Sequence, residues 1–306
     1  MKLTLFTFLM LTSICFVACK KSGNEPDIKQ FDQQQIQNYI AANGITGMQR
    51  DTTNGDTTGT YYEIITPGTG AKVDYPDSVS FVYTIKSFDG KYILTDTVLN
   101  HSEGFLGHVS PNGLMLAIRN NLKYKGGKMR VLVPSHLAYG RNGFGTGSNS
   151  VTNGRLAGNQ CLDYTINLIN DQNKYDDIVT SNYIKANGLT GYTKSPDGLW
   201  YKIIKPGTGN AIGINSNLTL NYTISLMNNT ADTTHSNATT ATLSDFLNLT
   251  AGAQEALQMV KGQGAISVVC PSRLAYGTAG ITVGTIFVPS NSCLRFEYYN
   301  ISVTNY

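Results

Sequence analysis

Val131-Leu-Val-Pro-Ser-His-Leu-Ala-Tyr-Gly140 decides the fold, because it returns as Val268-Val-Cys-Pro-Ser-Arg-Leu-Ala-Tyr-Gly277. Each copy opens on branched apolar residues that suit a strand. Proline, which has no N–H to give a ladder, stops the strand. Glycine, free to turn left-handed, closes the segment. A strand thus ends twice in a tight turn that carries one tyrosine. Working outward, Asn38-Tyr-Ile-Ala-Ala-Asn-Gly-Ile-Thr-Gly47 returns as Asn182-Tyr-Ile-Lys-Ala-Asn-Gly-Leu-Thr-Gly191. Tyr61-Tyr-Glu-Ile-Ile-Thr-Pro-Gly-Thr-Gly70 returns as Trp200-Tyr-Lys-Ile-Ile-Lys-Pro-Gly-Thr-Gly209, and Val82-Tyr-Thr-Ile85 as Asn221-Tyr-Thr-Ile224. Cys161-Leu162 and Cys293-Leu294 open similar C-terminal stretches. The matches keep their order, which is the mark of a tandem duplication.

A chain of 306 residues has room for two such units of ordinary size. Hydrophobic residues at 41% suffice for a core, while charged residues at 14% leave the surface to Thr, Asn, Ser, Gly and Tyr. With 31 Gly and 18 Tyr, short strands and many turns fit better than long helices. This composition excludes coiled coil, collagen and polytopic membrane protein. The net charge of +3 comes without a basic run, and no basic stripe interleaves with the tyrosines, so nucleic acid is not an expected partner.

Each unit reads strand, strand, helix, strand, loop, strand. In the first, 61–65, 78–85, 128–133 and 161–169 alternate as strands, and a short helix is predicted within 113–122. In the second, Ala251, Ala253, Ala256 and Leu257 mark the helix within 251–260. Ahead of the first unit, Ile36, Tyr39 and Ile40 sit at helical spacing with Gly44 as a C-cap. The fold class is α+β, one short helix against a mostly antiparallel sheet, twice.

The N-terminus carries an address. Lys2 precedes an apolar run, 3–17, too short to span a bilayer comfortably, and small residues close it, as in an export signal. Phe16-Val17-Ala18-Cys19 resembles a bacterial lipoprotein box, which implies removal of 1–18 and a lipid on Cys19. Residues 19–56 then form a polar tether and a short helix, 57–170 the first domain, 171–197 a linker with a helix, and 198–306 the second domain. The expected location is the bacterial cell envelope, on the extracytoplasmic side of a membrane. Cys161, Cys270 and Cys293 allow at most one intrachain disulfide and leave the pairing open.

Pro134-Ser-His-Leu-Ala-Tyr-Gly140 after Lys125-Gly-Gly-Lys128, and Pro271-Ser-Arg-Leu-Ala-Tyr-Gly277 after Lys261-Gly-Gln-Gly264, resemble FKBP-type peptidyl-prolyl isomerase domains. The Pro-Gly-Thr-Gly turn, the Tyr-Thr strand and a closing strand through Tyr164 or Phe296 follow in the family's order. The resemblance implies two tandem FKBP-like domains that bind proline-containing protein or peptide chains and need no metal or cofactor. It implies Tyr139 and Tyr276 as hydroxyl donors to a substrate carbonyl. It places Tyr83, Val109, Leu114, Leu156 and Tyr164 around the first pocket, and Tyr222, Leu249, Ala253, Val288 and Phe296 around the second.

Two departures bear on activity. The family sets a tryptophan at the pocket floor, where this sequence has Leu114 and Ala253; its one Trp, Trp200, lies on a strand. The family's Phe-Asp pair is absent, and Asp96 and Asp232 are the nearest counterparts of its Asp. The function expected is prolyl isomerisation during folding of exported proteins. The alternatives are a non-catalytic peptide-binding or chaperone lipoprotein, and an envelope protein that uses its repeats as spacers.

Other motifs carry little. Gly143-Phe-Gly-Thr-Gly147 feeds no helix and precedes no Lys-Ser/Thr, so it is not a phosphate loop. His101 and His108 lack the spacing of a helical zinc pair, and no Gly-x-Ser-x-Gly elbow occurs.

Overall fold

The computed structural model describes residues 27–53, 55, 58–147, 154–236 and 242–305. Cys19 and the signal-like segment lie outside them, as does part of the insertion between Gly140 and Gly158.

Both units have the same strand plan. Unit one contains β1 (Gln49–Arg50), β2 (Tyr61–Thr66), β3 (Ser78–Ser87), β4 (Ile93–Leu94), β5 (His101–Phe105), β6 (Lys128–Val133) and β7 (Leu162–Ile169). They run in the order β1-β2-β6-β7-β3-β4, with β5 also on β3. Unit two contains β8 (Thr193–Lys194), β9 (Trp200–Lys205), β10 (Ser216–Leu226), β11 (Ala231–Asp232), β12 (Thr242–Asp245), β13 (Ala265–Cys270) and β16 (Leu294–Asn305). Their order, β8-β9-β13-β16-β10-β11 with β12 on β10, repeats the first. All these pairings are antiparallel, for instance Val131 opposite Tyr164 and Val268 opposite Phe296. A separate hairpin, β14 (Ile281–Val283) with β15 (Ile286–Val288), belongs to unit two.

The four long strands of unit one and the helix positions agree with the sequence pattern. The short edge strands β1, β4 and β5 are additional, because two to five residues carry too few alternations to register as a period.

In unit one the helix is α2 (Asn112–Ala117), prolonged by a wider turn, Ile118–Leu122. Its buried Leu114, Ala117, Ile118 and Leu122 meet Met129, Val131 and Val133 of β6 and Leu162, Tyr164, Ile166 and Leu168 of β7. The odd-numbered side chains of β6 face this core, so Leu132 must face the other side of the sheet. It does, in a second buried cluster with Ile36 and Tyr39 of α1 (Ile28–Ala42). The Tyr39 hydroxyl donates to Asp163 at 3.1 Å, and Arg130 grips the same carboxylate at 3.0 and 2.6 Å. The helix ahead of unit one is thus packed on its sheet.

Its counterpart is α3 (Gln172–Ala186), started by the Asp171 side chain accepting from the Lys174 N–H at 3.1 Å. Both helices stop alike: Asn43 and Asn187 donate from their side chains to the carbonyls of Tyr39 and Tyr183 at 2.9 Å, and Gly44 and Gly188 follow at positive φ. The unit-two helix α4 (Ala251–Leu257) takes its cap from the Thr250 hydroxyl.

The units touch. Val98 of unit one packs on the unit-two core, Asn228 donates to Asp96 at 2.5 Å, and Ser80 donates to Gln172 at 3.0 Å.

Candidate functional site

Cleft one lies between β3, β5, α2 and the turn after β6, with a volume of ≈ 530 Å³. Tyr83, Val109, Leu114 and Tyr139 line it as expected. Leu114, 1% exposed, forms part of the floor. Its neighbour Gly113 lets α2 come down onto the sheet: a Cβ there would fall 2.4 Å from Val133 Cγ1. Phe81, Phe105, His108 and Phe144 also line the cleft and were not anticipated. Phe81 was within reach of the pattern, since it shares a strand face with Tyr83 at period two. Phe144 was not, because an irregular loop carries it.

Three expected residues take other places. Leu156 is 1% exposed within the core and does not line the cleft. Its backbone exchanges hydrogen bonds with that of Phe144, at 3.0 and 2.9 Å, and so delivers the Phe144 ring against Tyr139 with ring centroids 4.7 Å apart. Tyr164, also 1% exposed, lies beneath the lining, its ring 6.1 Å from that of Tyr83. Asp96 turns away altogether: it accepts from the Val98 N–H at 2.9 Å and from Asn228 of unit two. Two residues on, Val98 packs on the unit-two core, which holds this segment toward the neighbouring unit.

Cleft two is smaller, ≈ 230 Å³, and is lined by Tyr222, Leu249, Ala253, Tyr276 and Phe296, as expected, together with Leu220 and Tyr298. Alanine at the floor has not opened a large hole. The floor is narrowed by aromatic neighbours, with Phe296 and Tyr298 stacked at 5.6 Å. Tyr298 occupies the face that Ile166 holds in unit one, as their pairing opposite Tyr222 and Tyr83 shows.

Asp232 and Val288 are not part of this lining. Val288 is 1% exposed, in β15. The Asp232 carboxylate, equally buried, accepts from the Thr285 N–H and hydroxyl at 3.0 Å and from the Thr234 hydroxyl at 2.8 Å. Burial alone would raise its pKa, but these bonds overcome it and hold it below the usual carboxylate range. Asp232 therefore ties β11 to the β14–β15 hairpin. The hairpin can come so close because residue 284 is glycine, at φ +55, where a Cβ would meet the carboxylate at 2.3 Å.

Tyr83 and Tyr276 stay protonated. Burial pushes Tyr276 up to about 12 and raises Tyr83, with Tyr139 and Tyr92 nearby adding to the latter. Cleft two is thus a mainly apolar, aromatic recess with tyrosine O–H groups in its lining, while cleft one sets its aromatic rings, Val109 and Leu114 beside the polar Ser102, Glu103, His108 and Ser110. Such a recess can hold a small apolar ring and an amide out of bulk water while a hydroxyl meets a carbonyl.

No protein-family model matches the chain. Among curated proteins, it is 32% identical over 123 residues to the "FKBP-type peptidyl-prolyl cis-trans isomerase FkpA" of Buchnera aphidicola subsp. Schizaphis graminum, covering 40% of this chain and 47% of that one. The namesake from Buchnera aphidicola subsp. Acyrthosiphon pisum is 30% identical over 118 residues, covering 38% and 47%. The chain spans about half the length of the curated relatives it matches. Among solved structures, FkpA from Escherichia coli aligns at 25% identity and TM-score 0.38, over 44% of this chain and 62% of that one. The similarity of this chain, over about two fifths of its length, is to FKBP-type peptidyl-prolyl isomerases.

Proposed function

We propose that this chain is an FKBP-type prolyl isomerase in which cleft one carries most of the activity. One observation supports this above the rest: Tyr139 lines a ≈ 530 Å³ cleft into which Phe81, Tyr83, Phe105, Phe144 and Leu114 are also gathered. Rotation about an X–Pro bond faces a barrier of about 18–20 kcal/mol, raised by the resonance of the planar amide. A recess that takes the imide out of water favours the twisted, less polarised state, and no nucleophile is required. Tyr139 donates to the carbonyl of the bound peptide, and Tyr83 and Phe81 pack beside the proline ring. The substrates are proline-containing segments of exported proteins. The chain reaches them from a lipid on Cys19, on the extracytoplasmic side of a bacterial envelope.

A protease-coupled prolyl assay on the lipid-free chain tests this. Tyr139→Phe removes one hydroxyl, worth about 0.5–1.5 kcal/mol net, and is expected to lower kcat/KM roughly two- to twelvefold. Tyr276→Phe is expected to change it less. The reverse ranking moves the activity to cleft two. A wild-type chain without turnover leaves the non-catalytic peptide-binding reading, which the lack of an aromatic floor at Leu114 and Ala253 favours.

A further inference from the structure

The turn that presents each cleft tyrosine is held from behind by a carboxylate of the helix preceding the unit. In unit one, Asp32 of α1 is 1% exposed and accepts from the Ser135 hydroxyl at 2.7 Å, the His136 N–H at 3.1 Å and His136 Nδ1 at 2.7 Å. In unit two, Asp176 of α3 is equally buried and accepts from the Ser272 hydroxyl at 2.6 Å, the Ser272 N–H at 2.8 Å and Gln172 Nε2 at 2.7 Å. Ser135 and Ser272 open the 3-10 turns Ser135–Leu137 and Ser272–Leu274, and the tyrosines follow two residues after those turns.

A carboxylate this deeply buried is costly unless its lone pairs are filled, and here the serine donors of both units, with His136 in unit one, come from the tyrosine-bearing turn. The turns pass the constraint forward. The Ser135 carbonyl accepts from the Ala138 N–H at 3.1 Å, and the Ser272 carbonyl accepts from the Gly277 N–H at 2.9 Å, on the far side of Tyr276. The two copies differ in what surrounds the acid. His136 of unit one is replaced by Arg273, which bonds the Asp197 carbonyl, and Gln33 by Asp177, which pairs with Lys194. The Asp–Ser bond is the feature common to both.

We infer that Asp32 and Asp176 are positioning residues: they fix the turn that aims Tyr139 or Tyr276 into its cleft, so that each preceding helix is a working part of the site. The inference rests on the reading of these clefts as prolyl-peptide sites. Neither acid touches substrate; each acts through the serine and the turn.

The test uses the full chain carrying Tyr276→Phe, which lowers the share of turnover that comes from cleft two. Asp32→Ala and Asp32→Asn are compared by the prolyl assay and by amide hydrogen exchange. For Asp32→Ala, losing bonds to a charged acceptor is expected to speed exchange in the 136–140 segment roughly tenfold or more, with β6 and β7 unchanged. The same variant is expected to lower kcat about tenfold with little change in KM. Asp32→Asn keeps the shape and one acceptor oxygen, and is expected to fall between it and wild type. Should Asp32→Ala not accumulate folded, the Asn variant carries the comparison, with unit-two strands as the internal standard. Exchange that is unchanged in 136–140, or that rises evenly through β6 and β7, overturns the positioning role. A parent chain silent in turnover sinks the isomerase reading instead, and the exchange pattern still decides the clamp.

Discussion

His101 should make the stability of this chain fall as the pH drops from about 6.5 to about 4. The imidazole sits on β5 where the two units meet. Its Nε2 is 2.9 Å from the Ser80 hydroxyl, and its ring lies edge-on to Tyr175 of α3 at 5.9 Å. Burial there pushes the ring from its usual 6.5 down to about 4. The native chain therefore keeps the ring neutral in a range where the unfolded chain already binds a proton. The stabilisation is complete above about 6.5, is lost through the window, and stops falling once the native ring also protonates. At about 1.36 kcal/mol per pH unit, that window amounts to about 3 kcal/mol. The nearby groups do not mask it. Tyr175 is pushed up to about 12 and the Cys293 thiol is raised further by burial, so both stay neutral. Glu103, on the same strand, bonds Asn291 of unit two. Asp176, raised by burial, pulls the opposite way, because the native chain then binds its proton more readily. It contributes equally to wild type and to His101→Gln, so the difference between the two isolates His101. Urea unfolding followed by near-ultraviolet circular dichroism at pH 7.5 and pH 4.5 should show the wild type losing more stability than His101→Gln. The gap should be about 2–3 kcal/mol, or roughly 1 M in midpoint. Equal losses in the two chains would falsify the assignment of a buried, neutral imidazole to the junction.

Leu114→Trp should raise kcat/KM several-fold, because cleft one has room above the floor for a larger ring, at a packing cost of about 1–3 kcal/mol read by thermal unfolding. A folded variant with lower turnover would show that this floor does not touch the proline ring. Cys19→Ser should move the protein from the detergent phase to the aqueous phase on temperature-induced partitioning; identical partitioning of both forms removes the lipid anchor.

The fold was legible because it is written twice. The long central strands β2, β3, β6 and β7 carry alternation over six residues or more, and each recurs in unit two with its turn. The tyrosines of both clefts came from the resemblance to FKBP-type domains, and Tyr139 and Tyr276 follow 3-10 turns rather than lying on strands. The outer walls did not, for a physical reason: Phe105 and His108 sit at and beyond the end of a five-residue edge strand, and Phe144 on an insertion whose path depends on one backbone pairing with Leu156. Alternation predicts which way a side chain points only while the strand lasts. Leu156 and Val288, expected in the lining from the family resemblance, lie in the core, because the backbone pairing with Phe144 and the β14–β15 hairpin turn them inward. Asp32 and Asp176 were hidden differently. Each is one polar residue on a largely polar helix, and only the folded chain brings it to a serine about a hundred residues away, at separations of 103 and 96.

The duplication also shows what sets cleft size. The floors point one way: Leu114 is larger than Ala253, so cleft two should be the roomier. The volumes, ≈ 530 against ≈ 230 Å³, point the other way. The difference must then come from the surroundings. In unit two, Tyr298 replaces Ile166 on the strand face beside the floor and stacks with Phe296, which fills the space the small floor residue leaves. In unit one, Phe105 and Phe144 extend the walls outward, and both rings are more than half exposed, at 55% and 51%. Exposed aromatic surface of this kind carries a hydration cost in the free chain that a bound apolar segment would relieve. The two clefts thus differ in where their aromatic surface lies: on the exposed walls of cleft one, and packed together in cleft two, where Phe296 and Tyr298 are 3% and 5% exposed.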